Sequence, residues 1–113
     1  MKMVLAFVQP FRLDAVTRAL EHVPRFCGMT VTHAGGFGRE RMEPHPRTVA
    51  EEIEDFTDKV RVETVVHDEQ VDEVVGAIAR AAHTGQYGDG MVFVLPVERA
   101  VRIMTMHEGE AEV

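Results

Sequence analysis

Two glycine-rich segments hold the residue types best suited to binding chemistry. One reads GGFGR (residues 35–39) and the other TGQYGDG (residues 84–90). A concave glycine turn presents backbone N–H groups to an anion, and phosphate recognition adds cations around it. Taken alone, "GFG" and "GDG" are each more often a plain turn than a phosphate loop. Six histidines are present, His22, His33, His45, His67, His83 and His107, and none forms a close H-x₃-H metal pair. The tail run MTMH (residues 104–107) is a soft-ligand cluster of the kind that suits Cu(I), although a packed turn with an exposed histidine is the plainer reading. Cys27 stands at a strand start and reads as a small buried hydrophobe. No Ser-His-Asp grouping at a nucleophile turn, zinc signature or paired carboxylates in an apolar setting is visible, so no catalytic residue is assigned.

The elements that must position these residues follow from periodicity. Residues 3–8 are apolar and end at QPF, where Pro10 cannot donate to a ladder. In RLDAVTRALEHV, Leu13, Val16, Leu20 and Val23 share one helix face, and Pro24 is expected to end that helix. MTVTHAGGFGR begins as a β-branched strand and is expected to loosen at its glycines. KVRVETVV (residues 59–66) alternates, with Val60, Val62 and Thr64 facing one way and Arg61, Glu63 and Val65 the other. HDEQVDEVVGAIARAA is a second amphipathic helix built on Val71, Val74, Val75 and Ile78, with Asp68 and Glu69 in its first turn. After the glycine turn comes the strand MVFVLPV (residues 91–97), then a polar tail over 98–113. The order β-α-β, insertion, β-α-β is the split βαβ pattern, an α+β ferredoxin-like fold with both helices on one sheet face. The first and last strands read as apolar on both faces, as strands buried on both sides do. One copy has nothing left to cover the second face, so sheets of several copies are expected to pack together.

The chain is one domain of 113 residues with a formal net charge of −7. An acidic surface disfavours nucleic acid and anionic membranes as partners. The lone cysteine excludes an internal disulfide, and the short apolar start shows no secretory leader, which together predict a cytoplasmic protein. The insertion, residues 39–58, exceeds the length at which structureless loops become uncommon and usually functional. It carries Arg39, Arg41, Arg47, Pro44, Pro46 and the solvated charge run EEIED, with Ile53 and Phe56 as its only apolar anchors near the end. It is expected to be an arm that docks on a partner or closes over a ligand.

The runs PFRLDAV, GMTVT, GFGR, KVRVE and TGQYGDGMVFVLPVERAVRI, in one register around a full-length loop, resemble the PII signal-transduction family over almost the whole chain. The resemblance implies a homotrimer with adenine-nucleotide sites (ADP, AMP or ATP) in the clefts between subunits. It also implies that the loop at 39–58, the T-loop, controls a membrane transporter or metabolic enzyme. It places Thr30, Gly36, Phe37, Gly38, Arg39, Glu63, Val65, Gly88, Asp89, Gly90, Met91 and Arg102 at the nucleotide. It makes Glu40 and Lys59 the ligand and T-loop switch positions.

The departures refine that expectation. Ala50 and Glu52 stand at the modifiable loop positions and the only tyrosine is Tyr87, which argues against uridylylation of the usual kind. Glu40 replaces the glutamine that family members use with Mg²⁺ and 2-oxoglutarate. A carboxylate there still suits a divalent metal such as Mg²⁺ but repels a dicarboxylate effector. Thr30, Glu63 and Val65 match the family positions that hold the base and ribose, so the base region is kept, whereas Met91 and Met104 replace family cations and thin the phosphate clamp. Divergent relatives accompany bicarbonate or heavy-metal transporters. The alternative expectation is therefore a metal-binding or metal-responsive trimer of heavy-metal tolerance or efflux, using tail Met/His or Glu40. A small nucleotide-cleaving enzyme is a third.

Overall fold

The computed structural model describes residues 1–37 and 56–113. Its four strands are β1 (Lys2–Val8), β2 (Thr30–Gly36), β3 (Thr57–Val66) and β4 (Gly90–Pro96). Its helices are α1 (Leu13–Glu21) and α2 (Val71–Ala82), each preceded by a single tight turn at Pro10–Arg12 and Asp68–Gln70. The strands form one antiparallel sheet in the order β2-β3-β1-β4. With both helices on one face, this is the ferredoxin-like arrangement that the element order predicts.

Alternation in the central strands creates the core. Val4, Ala6 and Val8 of β1 and Val60, Val62 and Val66 of β3 point toward the helices and are buried. They meet Val16 and Leu20 of α1, Val23 just beyond it, and Val74, Ala77, Ile78 and Ala82 of α2. Burying a Val or Leu side chain contributes about 1.5–3 kcal/mol, so this layer is the main attachment of helices to sheet. The Arg12 guanidinium adds a lock by donating to the Ala81 carbonyl at 2.9 and 2.6 Å, joining the start of α1 to the end of α2. Buried Gln70 donates from Nε2 to the Pro24 and Arg25 carbonyls, both at 3.2 Å, and fixes the bend after α1.

Several elements differ from the periodicity reading. Helix α1 ends at Glu21, before Val23 and Pro24; Val23 N–H bonds to the Leu20 carbonyl at 3.0 Å, an i→i+3 closure that tightens the last turn and still buries Val23. Asp68 and Glu69 lie in the tight turn before α2 rather than within it, and Asp68 pairs with the Met1 ammonium at 2.9 Å. Strand β2 does not loosen at Gly35 and Gly36 but continues through both, paired with Asp58 and Thr57. Thr57 and Asp58 therefore belong to β3 and not to the insertion. The approach at Gly36 is close: a Cβ there would lie 3.1 Å from Lys59 Cγ, and the lysine would have to shift to admit it. Cys27 is exposed, not buried, because it sits in the bend before β2 with its thiol donating to the Arg25 carbonyl at 3.3 Å.

The uncovered second face that the apolar strands predict is most evident on β4. It is an edge strand, and on a single chain Met91, Phe93, Val94 and Leu95 are 62%, 42%, 44% and 41% exposed. The register places Met3 opposite Leu95, Leu5 opposite Phe93 and Phe7 opposite Met91, so an apolar band crosses the sheet face away from the helices. Isolated exposed apolar residues are normal, whereas a contiguous band of this kind marks an interaction surface.

Candidate functional site

At one end of the sheet the last residues of β2, the first of β3 and the glycine turn enclose a cavity of about 600 Å³. Gly36, Phe37, Lys59, Gly88, Asp89, Gly90 and Met91 line it, together with Phe7, Tyr87 and Phe93. The turn is organised from within. The Asp89 carboxylate accepts from the Thr84 N–H at 2.7 Å, the Gly85 N–H at 2.9 Å and Gln9 Nε2 at 3.2 Å, and also from the Thr84 hydroxyl. Asp89 thus shapes the turn with its side chain. Lys59, buried on β3, donates from Nζ to the Gly88 carbonyl at 2.6 Å and braces the turn across the cavity. Phe37, which lines the cavity, packs against Phe56 with ring centroids 5.7 Å apart.

Burial by itself would raise the Asp89 pKa, but the bonds from Thr84, Gly85 and Gln9 outweigh it and hold the carboxyl below its ordinary 3.8. A depressed folded pKa stabilises above the ordinary value and loses that contribution as pH falls through the folded value. Asp89→Asn should therefore lower stability at neutral pH by about 1–3 kcal/mol, because the amide gives up charge-assisted bonds from Thr84, Gly85 and Gln9. It should also flatten the loss of stability below pH 3.8. Urea titrations at pH 7 and across the acid range measure both effects.

At the opposite end of β2 and β3, Thr30, Glu63 and Val65 line a second cavity of about 370 Å³ with Met3, Cys27, Gly28, Met29 and Thr64. Glu63 is directly opposite Thr30 in the ladder. Its carboxylate forms an ion pair with Arg61 Nε at 2.6 Å, along the strand and on the same face. Thr64 donates to the Gly28 carbonyl at 2.6 Å and holds the bend that carries Cys27. Arg102 lines neither cavity; it is in the C-terminal segment, where Glu112 accepts from its Nε at 3.1 Å. Met104 is 87% exposed two residues on.

The structure thus gathers Gly36, Phe37, Lys59 and the glycine turn in one place, and Thr30, Glu63 and Val65 in another. Gly38, Arg39 and Glu40 lie outside the described residues, as do the EEIED run and Ala50 and Glu52. Sequence reasoning missed Gln9, whose contact spans 80 positions, and Thr84 as the partner of Asp89. It also missed Phe7 and Phe93 as cavity walls, although their alternation on the second sheet face carried the signal. Among the described residues no group of three or more His, Cys, Asp or Glu is placed to hold a metal ion. No helix among them is long and apolar enough to cross a membrane.

The family model described as Nitrogen regulatory protein P-II matches residues 1–107. The chain belongs to the P-II family. It is 46% identical over 109 residues to a nitrogen regulatory protein P-II of Azospirillum brasilense, covering 96% of each chain. It is 46% identical over 110 residues to that of Pasteurella multocida, covering 97% of each. Nitrogen regulatory protein P-II 1 of Escherichia coli K12 is 44% identical over the full 113 residues of both. The chain is accordingly a P-II regulatory protein, and nucleotide binding with partner control through a loop is typical of that family. Within the P-II frame, the cavity at the glycine turn and the one at Thr30 are the two candidate halves of a site.

Proposed function

We propose that this chain binds an adenine nucleotide in the clefts of a homotrimer and passes the bound state to a transporter or enzyme through the insertion between β2 and β3. The observation that carries this reading is the division of the candidate residues between two cavities. Thr30 and Gly36 are six strand positions apart, about 20 Å at the rise of an extended strand. A single copy offers either half of the site at a given place. The glycine-turn half of one copy is complemented when it faces the Thr30–Glu63–Val65 half of another. The apolar band across Met3, Leu5, Phe7, Met91, Phe93 and Leu95 supplies the surface that assembly buries. The glycine-turn cavity supports the choice of ligand. Its glycine turn suits the phosphate anion, and the Thr30–Glu63–Val65 half takes the base and ribose. Regulation, rather than catalysis, is the role that membership of the P-II family supports.

Equilibrium sedimentation at micromolar concentration should give about three times the 12.6 kDa chain mass. Titration with ADP should saturate near one nucleotide per chain. Leu95→Glu, which lies outside both cavities, should yield a monomer that no longer binds nucleotide. A wild-type monomer, or a monomeric variant with unchanged affinity, would sink the intersubunit site.

A further inference from the structure

The C-terminal segment folds back until one of its acidic residues covers Arg102, which lines neither cavity and which the P-II resemblance places at the nucleotide. Val101 and Glu108 form an isolated antiparallel bridge, and Arg99 grips Glu108 through Nε at 3.2 Å and Nη2 at 2.7 Å. After Gly109 the chain returns through a short turn, Glu110–Glu112. There Arg102 donates from Nε to Glu112 Oε2 at 3.1 Å and from Nη2 to the Glu112 backbone carbonyl at 2.5 Å. Two more contacts hold the return in place. The Met1 ammonium donates to Glu110 at 3.2 Å, and His67 Nε2 lies 3.0 Å from a Val113 backbone oxygen. The Glu112 side chain is only 21% exposed, while Arg102 keeps half of its surface in solvent.

We propose that Glu112 is an internal occupant of the phosphate position at Arg102, so that nucleotide binding is coupled to release of residues 110–113. The inference rests on the reading of Arg102 as a phosphate ligand. A guanidinium fork fits a carboxylate or a phosphate along one edge, and that edge serves one of them at a time. Here the Nε–Nη2 edge is occupied twice by Glu112. The arginine keeps half of its surface in water, and an ion pair open to solvent on one side is weak enough for a multiply charged ligand to displace. The tail therefore acts as a threshold: weak or singly charged anions leave it in place, and a nucleotide that reaches Arg102 frees it.

Calorimetric titration of ADP and ATP into the full chain, Glu112→Gln, Arg102→Ala and the double variant tests this. Removing the carboxylate charge should tighten binding by about two- to fivefold, the range of an exposed ion pair. The same change should have no effect once Arg102 is gone. Carboxypeptidase should remove Val113 and Glu112 faster when nucleotide is bound. Binding by Glu112→Gln that equals or falls below wild type, while Arg102→Ala still weakens it, overturns the coupling and leaves the nucleotide reading intact. Unchanged binding by Arg102→Ala overturns the assignment of Arg102 and the coupling with it. Absence of any adenine-nucleotide binding by wild type overturns the functional reading itself.

Discussion

Gly90→Ala should lose about 3–5 kcal/mol of stability, the range reserved for changes that clash within the core, and leave little folded protein. Gly90 opens β4 at a φ of +101°, where an L side chain is strained. A Cβ there would lie 1.7 Å from the Phe7 carbonyl oxygen and 2.8 Å from its carbon. Those atoms belong to the backbone of the central strand, so no rotamer change relieves the contact. Moving β1 instead would pull Ala6 and Val8 from the core layer that they share with α2. Gly28→Ala is the control. Its φ is +129°, but nothing lies within 4 Å of the added Cβ. Its expected cost is backbone strain alone, about 1–2 kcal/mol. Urea unfolding followed by circular dichroism, with protein concentration held fixed because assembly contributes to stability, separates the two. Equal losses for both variants would contradict the register Val8 to Gly90.

Arg102→Ala should lower affinity for adenine nucleotides by about 10- to 100-fold, since a hydrogen bond to a charged group contributes about 1.5–3 kcal/mol. Met91 lies directly after the glycine turn, 62% exposed at the cavity wall, where the P-II resemblance places a cation. On the proposed reading, Met91 and Met104 in place of two such cations should cost roughly 3–6 kcal/mol of phosphate binding, two to four decades. The loss falls hardest on the outer phosphates, which carry most charge. ADP or AMP should therefore bind at least as well as ATP, and 2-oxoglutarate should change little. Met91→Lys should strengthen ATP binding by about tenfold or more, selectively over AMP. Calorimetric titrations of the three nucleotides, with and without Mg²⁺ and 2-oxoglutarate, give the ranking. Tight Mg²⁺-dependent ATP binding enhanced by 2-oxoglutarate would refute the thinned phosphate clamp.

Much of this was legible in the order of residues, because local periodicity reports directly on which face of an element is covered. The spacing of Leu13, Val16 and Leu20 set the buried stripe of α1. The alternation of Val60, Val62 and Thr64 set the inward face of β3, and the 3.6-residue repeat from Val71 set α2. These patterns, in the order β-α-β twice, determined the ferredoxin-like architecture. The shared register of GFGR, GDG and the final strand pointed to the P-II family. The apolar second face of β1 and β4 was visible as well.

Only the tertiary structure decided what depends on distant residues meeting. That β2 stays in the ladder through Gly35 and Gly36 follows from its pairing with β3, which glycine propensity does not reveal. Cys27 is exposed because the bend held by Gln70 and Thr64 turns it outward, while its neighbours in sequence suggest a strand. The bonds from Gln9 and Thr84 to Asp89 make that carboxylate a builder of the turn. The Lys59–Gly88 contact braces the same turn from another strand. The division of the candidate residues between two ends of one hairpin, and the hold of Glu112 on Arg102, exist only once the strands are registered and the tail is folded back. Side-chain chemistry and periodicity are local properties that a linear sequence carries. Hydrogen-bond partners, the exposure of a loop residue and the meeting of two half-sites are set by the packing of elements far apart along the chain.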